Sequence, residues 1–319
     1  METQWIPADE VKQFAAEHGV SEWQRERWQK SALIPQSHVI PLGKGKGTCS
    51  EYPACAMRQM LATKRKLDRK RSFSQARLEL WLEGYSIPTD KLKADLKKLV
   101  LGLLETLQQP GNDALDNAEN LTAKALPSFR RTELGKSMKK RLKRAAEVES
   151  VITAIFQLVF GGCPVFSRNY SDTDELGLAQ TFPTGMGIDW MEKTKIPEVG
   201  RWMPDMQENL VELAKKKHIS VSALVKALDE AAEQELERAR SDFLAIFGAL
   251  PNLNDGLKKQ DLPGMPIIEH IELDSFGLCI GALFMLRLRK SGLGCNIDEV
   301  VENARKMNAK RESGTHNAE

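Results

Sequence analysis

The chain is poor in cysteine, with five in 319 residues at irregular spacing. That spacing excludes a disulfide framework and fits reduced thiols in a cytoplasmic protein. It also fits no zinc motif. Cys49, Cys55 and the nearby His38 lack an evident fourth ligand, so no metal is expected. Cys163, Cys279 and Cys295 sit in or beside apolar stretches, where cysteine acts as a small core residue. Long apolar runs are missing too. The longest, Val151–Phe160 and Phe276–Leu286, fall short of a membrane span and are expected to be buried helices. The first residues show no basic segment followed by an apolar one, so no signal peptide is expected. No Ser/His/Asp set, carboxylate pair or phosphate loop stands out. The run Gly43-Lys44-Gly45-Lys46-Gly47 has no Lys-Ser/Thr after it and no strand–loop–helix setting. The chain is therefore not expected to be an enzyme or to hold a cofactor.

What is present is charge, unevenly placed. The net charge is only +2, but residues 1–98 hold 18 Lys+Arg against 12 Asp+Glu, and the remainder holds 28 against 32. A basic front and a mildly acidic back fit a nucleic-acid-binding part joined to a partner or sensor part. The length leaves room for about two domains.

The front is patterned as two short helices and a hairpin. Pro7 opens a helix that runs to His18, with Val11, Phe14 and Ala15 on one face. Gly19 stops it, since a tight turn between helices needs a residue that tolerates positive φ. Ser21 is placed to cap a second helix through Trp23, Arg25, Arg27 and Trp28 to about Ala32. Leu33-Ile34-Pro35 closes that helix. Val39–Leu42 and Thr48–Tyr52 flank the Gly/Lys tip as two short strands. A basic helical stretch follows from about Pro53 to Arg71, then Ala76–Glu83, a turn at Gly84–Pro88 and a helix from Thr89 to about Gln108.

Pro110-Gly111-Asn112-Asp113 is the clearest linker. The spacing beyond it predicts helices over about 113–125, 132–160, 205–217, 221–249, 268–290 and 297–310. Between Ser167 and Pro204, Gly and Pro recur among aromatics, which predicts a long ordered loop or lid. The chain has no internal repeat. Expected domains are 1–109, 110–310 and a disordered tail 311–319. The fold class expected is mainly α, a winged helix–turn–helix followed by an all-helical C-terminal domain.

The order Pro7-Ala8-Asp9-Glu10-Val11, Gly19-Val20-Ser21, Leu33-Ile34-Pro35, Tyr52 and Leu82-Glu83-Gly84-Tyr85-Ser86 resembles the DNA-binding domain of MerR-type regulators, over about residues 5–105. The resemblance implies a helix–turn–helix, a wing, a second helix pair, and dimerisation through a long helix after this domain. Glu26, Arg27 and Trp28 stand where that family usually carries Arg-Tyr-Tyr, and Glu51 replaces the Arg before the wing tyrosine.

A helix–turn–helix presents the first residues of its second helix to base edges in the major groove. Those residues here are Ser21, Glu22, Trp23 and Gln24. Arg25, Arg27 and Lys30 follow as the cations that read guanine or grip phosphate, while Trp28 is assigned to the core. Lys44 and Lys46, among glycines that allow close backbone approach, suit phosphate or minor-groove contact. Two weaker features are kept open. Leu210–Leu228 resembles a second helix–turn–helix, against a default of two packed amphipathic helices. Arg130–Arg144 is a basic run, against a default of a solvated helix face.

The expected role is a sequence-specific transcriptional regulator, a cytoplasmic homodimer on double-stranded DNA, away from membranes, with room for an unidentified small-molecule effector. The alternative is a mobile-element or plasmid DNA-binding protein, such as a recombination-directionality or partition factor. A helical enzyme with an appended DNA tether has the least support.

Overall fold

A computed structural model describes residues 4–42, 47–107, 221–259, 274–291 and 297–315. The expectations for the wing tip, the linker at Pro110, the helices over 113–125, 132–160 and 205–217, Arg130–Arg144, Cys163, Ser167–Pro204 and Cys295 lie outside them. The chain divides into two compact units, Met1–Leu99 and Val100–Glu319. The described residues are mainly helical, with one small sheet near the N-terminus.

The first unit opens with β1 (Trp5–Pro7), a strand that local pattern did not announce. It pairs antiparallel with β3 (Thr48–Pro53), which pairs antiparallel with β2 (His38–Pro41), giving the order β1-β3-β2. Pro7 ends the strand and is the N-cap of α1 (Ala8–Glu17). Gly19 takes φ +67°, the conformation the turn requires, and no atom lies within 4 Å of where a Cβ would stand. The need for glycine here is therefore conformational and not a matter of space. Ser21 then forms a capping box on α2 (Glu22–Lys30). Its hydroxyl accepts from the Gln24 N–H at 3.2 Å, and its own N–H donates to Gln24 Oε1 at 2.9 Å. Two orphan donors of the first turn are thereby satisfied.

Two helices, α3 (Cys55–Asp68) and α4 (Phe73–Leu82), and the part of α5 (Thr89–Leu107) up to Leu99 complete the unit. Ser72 and Gln75 repeat the capping box at the start of α4. Leu33, Ile34, Met60, Leu80, Trp81 and Leu96 are the large side chains at the centre of the core, and Trp28 is buried with them. The buried carbonyl of Leu33 accepts from Gln59 Nε2 at 3.1 Å and Thr63 Oγ1 at 2.9 Å, which ties the segment after α2 to α3. Arg77 does the same from α4. Its guanidinium donates to the Ser31 carbonyl at 2.9 Å and bidentately to Asp95 of α5 at 2.6 and 2.9 Å. The end of α2 is thus fixed by hydrogen bonds from two other helices.

In the second unit, the helix expected over 221–249 is two: α6 (Val221–Glu230) and α7 (Glu233–Lys259). The break needs no Gly or Pro. The Ala232 N–H donates to Glu235 Oε2 at 2.7 Å, so a glutamate three residues on caps the new start. α7 then continues through Pro251, past the expected end. Asn308 lies along this stretch, donating to the Ala245 carbonyl at 2.9 Å and accepting from Asn252 Nδ2 at 3.5 Å. α8 (Ser275–Ser291) and α9 (Ile297–Thr315) pack on α7, and α6 packs on α8. α9 runs to Thr315, into the stretch expected to be a tail. Ala309, Lys310, Arg311 and Glu312 are good helix formers, which explains the extension. Cys279 is fully buried on α8, packed as a core residue.

Candidate nucleic-acid interface

The corner between α1 and α2 sets which side chains of α2 face outward. Arg25 and Trp28, three residues apart, form its buried stripe. Arg25 is only 6% exposed, and its guanidinium donates to the Tyr52 hydroxyl of β3 at 2.7 Å. Tyr52 in turn donates to Gln29 Oε1 at 3.2 Å. The expectation that Arg25 meets DNA is therefore corrected. The side chain is turned inward, where it ties the hairpin strand to α2, and its Nε is buried without a hydrogen-bond partner. Ser21 and Gln24 are likewise engaged with each other in the capping box. A shallow groove of about 550 Å³ lies at this corner, lined by Lys12, Gly19, Val20 and Ser21 among others.

The outward stripe is Glu22, Trp23, Glu26, Arg27 and Lys30, all exposed. Glu22 lies 3.7 Å from the Arg25 guanidinium and Glu26 lies 3.9 Å from Lys30, so both carboxylates have cationic neighbours. Trp23 is 65% exposed. The Arg27 guanidinium lies over the Trp23 ring, 5.1 Å from its centroid, and over the Phe73 ring of α4 at 4.8 Å. This contact brings the start of α4 beside the face of α2.

The structure also shows cations absent from the expected site. Arg58, Arg65, Arg69, Lys70 and Arg71 are exposed on α3 and on the turn into α4. Arg71 is held by Glu79 at 3.0 Å, whereas Lys66 turns inward to Glu79 and Glu83. The sequence signal was available. Arg58, Arg65 and Arg69 recur at helical spacing, and Ser72-x-x-Gln75 marks where α4 begins. Phe73 carried no such signal, because its partner Arg27 is distant in sequence.

Comparison with known proteins found no matching family model, no matching curated protein and no matching solved structure. Lys44 and Lys46 lie outside the described residues, but the base of their hairpin is defined. The Leu42 N–H donates to the Gly47 carbonyl at 3.0 Å, and Gly47 takes φ +75°. Among the described residues no three His, Cys, Asp or Glu gather as metal ligands. Cys49 is half-buried and Cys55 exposed, both as free thiols. No described helix is long and apolar enough to cross a membrane. Of the suspected second helix–turn–helix, only Val221–Leu228 is described. There Val221, Leu224 and Leu228 are buried at helical spacing.

Proposed function

We propose that the chain is a sequence-specific regulator that binds double-stranded DNA through its first unit, a winged helix–turn–helix of MerR type. The observation that carries this is the outward stripe of α2. A helix fixed at its start by a glycine turn and a capping box, and at its end by Arg77, projects Trp23, Arg27 and Lys30 into solvent. The exposed cations of the α3–α4 turn lie on a segment joined to this stripe through Phe73. On this reading α2 enters the major groove and supplies base contacts. Lys44, Lys46, Arg65, Arg69 and Lys70 neutralise phosphates on either side. Arg25 and Tyr52 act as positioning residues that hold hairpin and helix in one orientation.

The protein acts as a homodimer on a two-fold-symmetric site, with the second unit supplying the dimer contact. Light scattering of the full chain at tens of micromolar should report the dimer mass, and a monomer with and without DNA would remove that part. For DNA binding the test is selection of duplexes from a random library by the full chain. The expected result is one enriched palindromic site, bound with a log–log salt slope of several units. If no fragment is retained even at low salt, the reading fails.

A further inference from the structure

Every cation of α2 but one has a partner that accounts for it. Arg25 donates to Tyr52, and Lys30 stands beside Glu26. Arg27 is the exception. Its guanidinium touches two aromatic rings, and among the described residues no protein acceptor takes its N–H groups. Guanidinium stacked on aromatic rings loses rotamer freedom while its donor edge stays available. The backbone beneath Phe73 is held by the Ser72–Gln75 capping box at the first turn of α4. The other ring, Trp23, is the most exposed large apolar side chain among the described residues. It lies one turn before Arg27 on the same face, at the end of α2 that a recognition helix directs to base edges. The exposed indole and the open donor edge of the guanidinium beside it offer one ligand an apolar contact and two hydrogen bonds together.

We infer that α2 reads a pyrimidine–guanine step carrying a 5-methyl group, a thymine followed by guanine on one strand. This rests on the DNA-binding reading above and names the chemistry of its target. Arg27 donates two hydrogen bonds to O6 and N7 of the guanine. Trp23 covers the 5-methyl of the preceding thymine, the one apolar group the major groove offers. The methyl and the guanine edge are neighbours in the groove, as the indole and the guanidinium are neighbours on α2. Trp23 is thus the residue that sets specificity at the thymine. The same geometry accepts 5-methylcytosine in place of thymine, because the methyl group occupies the same position.

The test uses the full chain and its selected duplex, with single-atom changes in the DNA. Replacing the thymine of the step by deoxyuridine removes only the methyl and should weaken wild-type binding about fourfold per half-site. Trp23→Ala should bind both duplexes equally, and since Trp23 is exposed its melting temperature should match the wild type. Replacing guanine by 7-deazaguanine should weaken the wild type, whereas Arg27→Ala, which has no donor to lose an acceptor, should bind both duplexes equally. A selected site without a thymine–guanine step in each half overturns the inference, as does equal wild-type binding to thymine and deoxyuridine duplexes. In either case the protein still binds DNA and the broader reading stands. Absence of any selected DNA overturns both.

Discussion

The first unit turns Arg25 and Arg77 inward, as the second turns Arg289, but it also leaves arginines open to solvent. In the first, Arg27, Arg65 and Arg69 face solvent, and Arg27 leans on aromatic rings with its donors open. In the second, three arginines converge on one carboxylate. Asp242 of α7 is 1% exposed and accepts from Arg289 of α8 at 2.7 Å and Arg305 of α9 at 2.9 Å, with Arg238 3.8 Å away. Asp298 joins the network from the start of α9, accepting from Arg238 at 2.7 Å and Arg289 at 2.9 Å. A cation whose charge is matched inside a bundle specifies how helices pack, and one left unmatched on a surface is free for a ligand. Net charge already tilts the two units apart, but it does not say which arginines are open to a ligand. Their partners separate them.

The sharpest way to break this contrast is to remove the shared carboxylate. Asp242→Ala leaves Arg289 with Asp298 alone and takes the buried carboxylate from the half-exposed Arg305, and should destabilise the second unit by about 1–3 kcal/mol. Calorimetry of the full chain should show the loss in one transition only. Equal loss in all transitions would mean that the two units do not melt independently.

Arg27→Ala is the mirror experiment. It should leave stability within about 0.5 kcal/mol of wild type, while specific DNA binding weakens by about 1–3 kcal/mol. Lys44→Ala with Lys46→Ala should instead weaken binding to all sequences alike and reduce the salt slope by about two. A titration of each variant against specific and unrelated duplexes separates these outcomes.

A third test probes packing without charge. A Cβ on Gly281 of α8 would fall on the ring of Phe243 of α7. Gly281→Ala should therefore cost about 1–3 kcal/mol through overpacking, despite alanine's better helix propensity. Phe243→Leu in the same chain should relieve part of that cost, and a denaturant double-mutant cycle measures the coupling.

The smallest expected effect concerns acid. Hydrogen bonding from Arg289 holds the Asp298 carboxyl below its ordinary value of 3.8, with the charges of Arg289 and Arg238 adding to this. A carboxyl depressed in the folded state stabilises above its unfolded pKa, and that contribution fades as pH falls through the folded one. Wild-type stability should thus decline below about pH 4, and Asp298→Asn should flatten part of that decline. Because Asp298 is exposed, solvent screening keeps the difference slight, and urea midpoints at pH 3 and pH 6 would measure it.

The local rules carried much of the first unit. Turn glycine, capping serine and helical spacing located α1 and α2, and glycine at 47 and 84 marked turns that do take positive φ. What local rules could not carry was direction. Arg25 and Arg27 look alike in sequence, and only Tyr52, far along the chain, draws one of them inward. β1 escaped because three residues have no periodicity and their partner strand is remote. The break at Ala231–Ala232 escaped because alanine favours helix, and a side-chain cap from Glu235 decided otherwise. Asp242 was invisible as a hub because its arginines come from three different helices.

The strand order has a consequence for synthesis. β1 is made before its neighbour β3, which emerges only after α1, α2 and β2. On the ribosome Trp5–Pro7 must therefore wait without a partner while the two helices, whose contacts are local, form ahead of it. Until it docks, the middle strand of the finished sheet is an open edge with free N–H and C=O groups, the kind of edge on which chains pair with one another. Fusions that crowd the first residues should thus reduce the yield of soluble protein more than fusions at the other end, even though β1 carries none of the residues assigned to DNA.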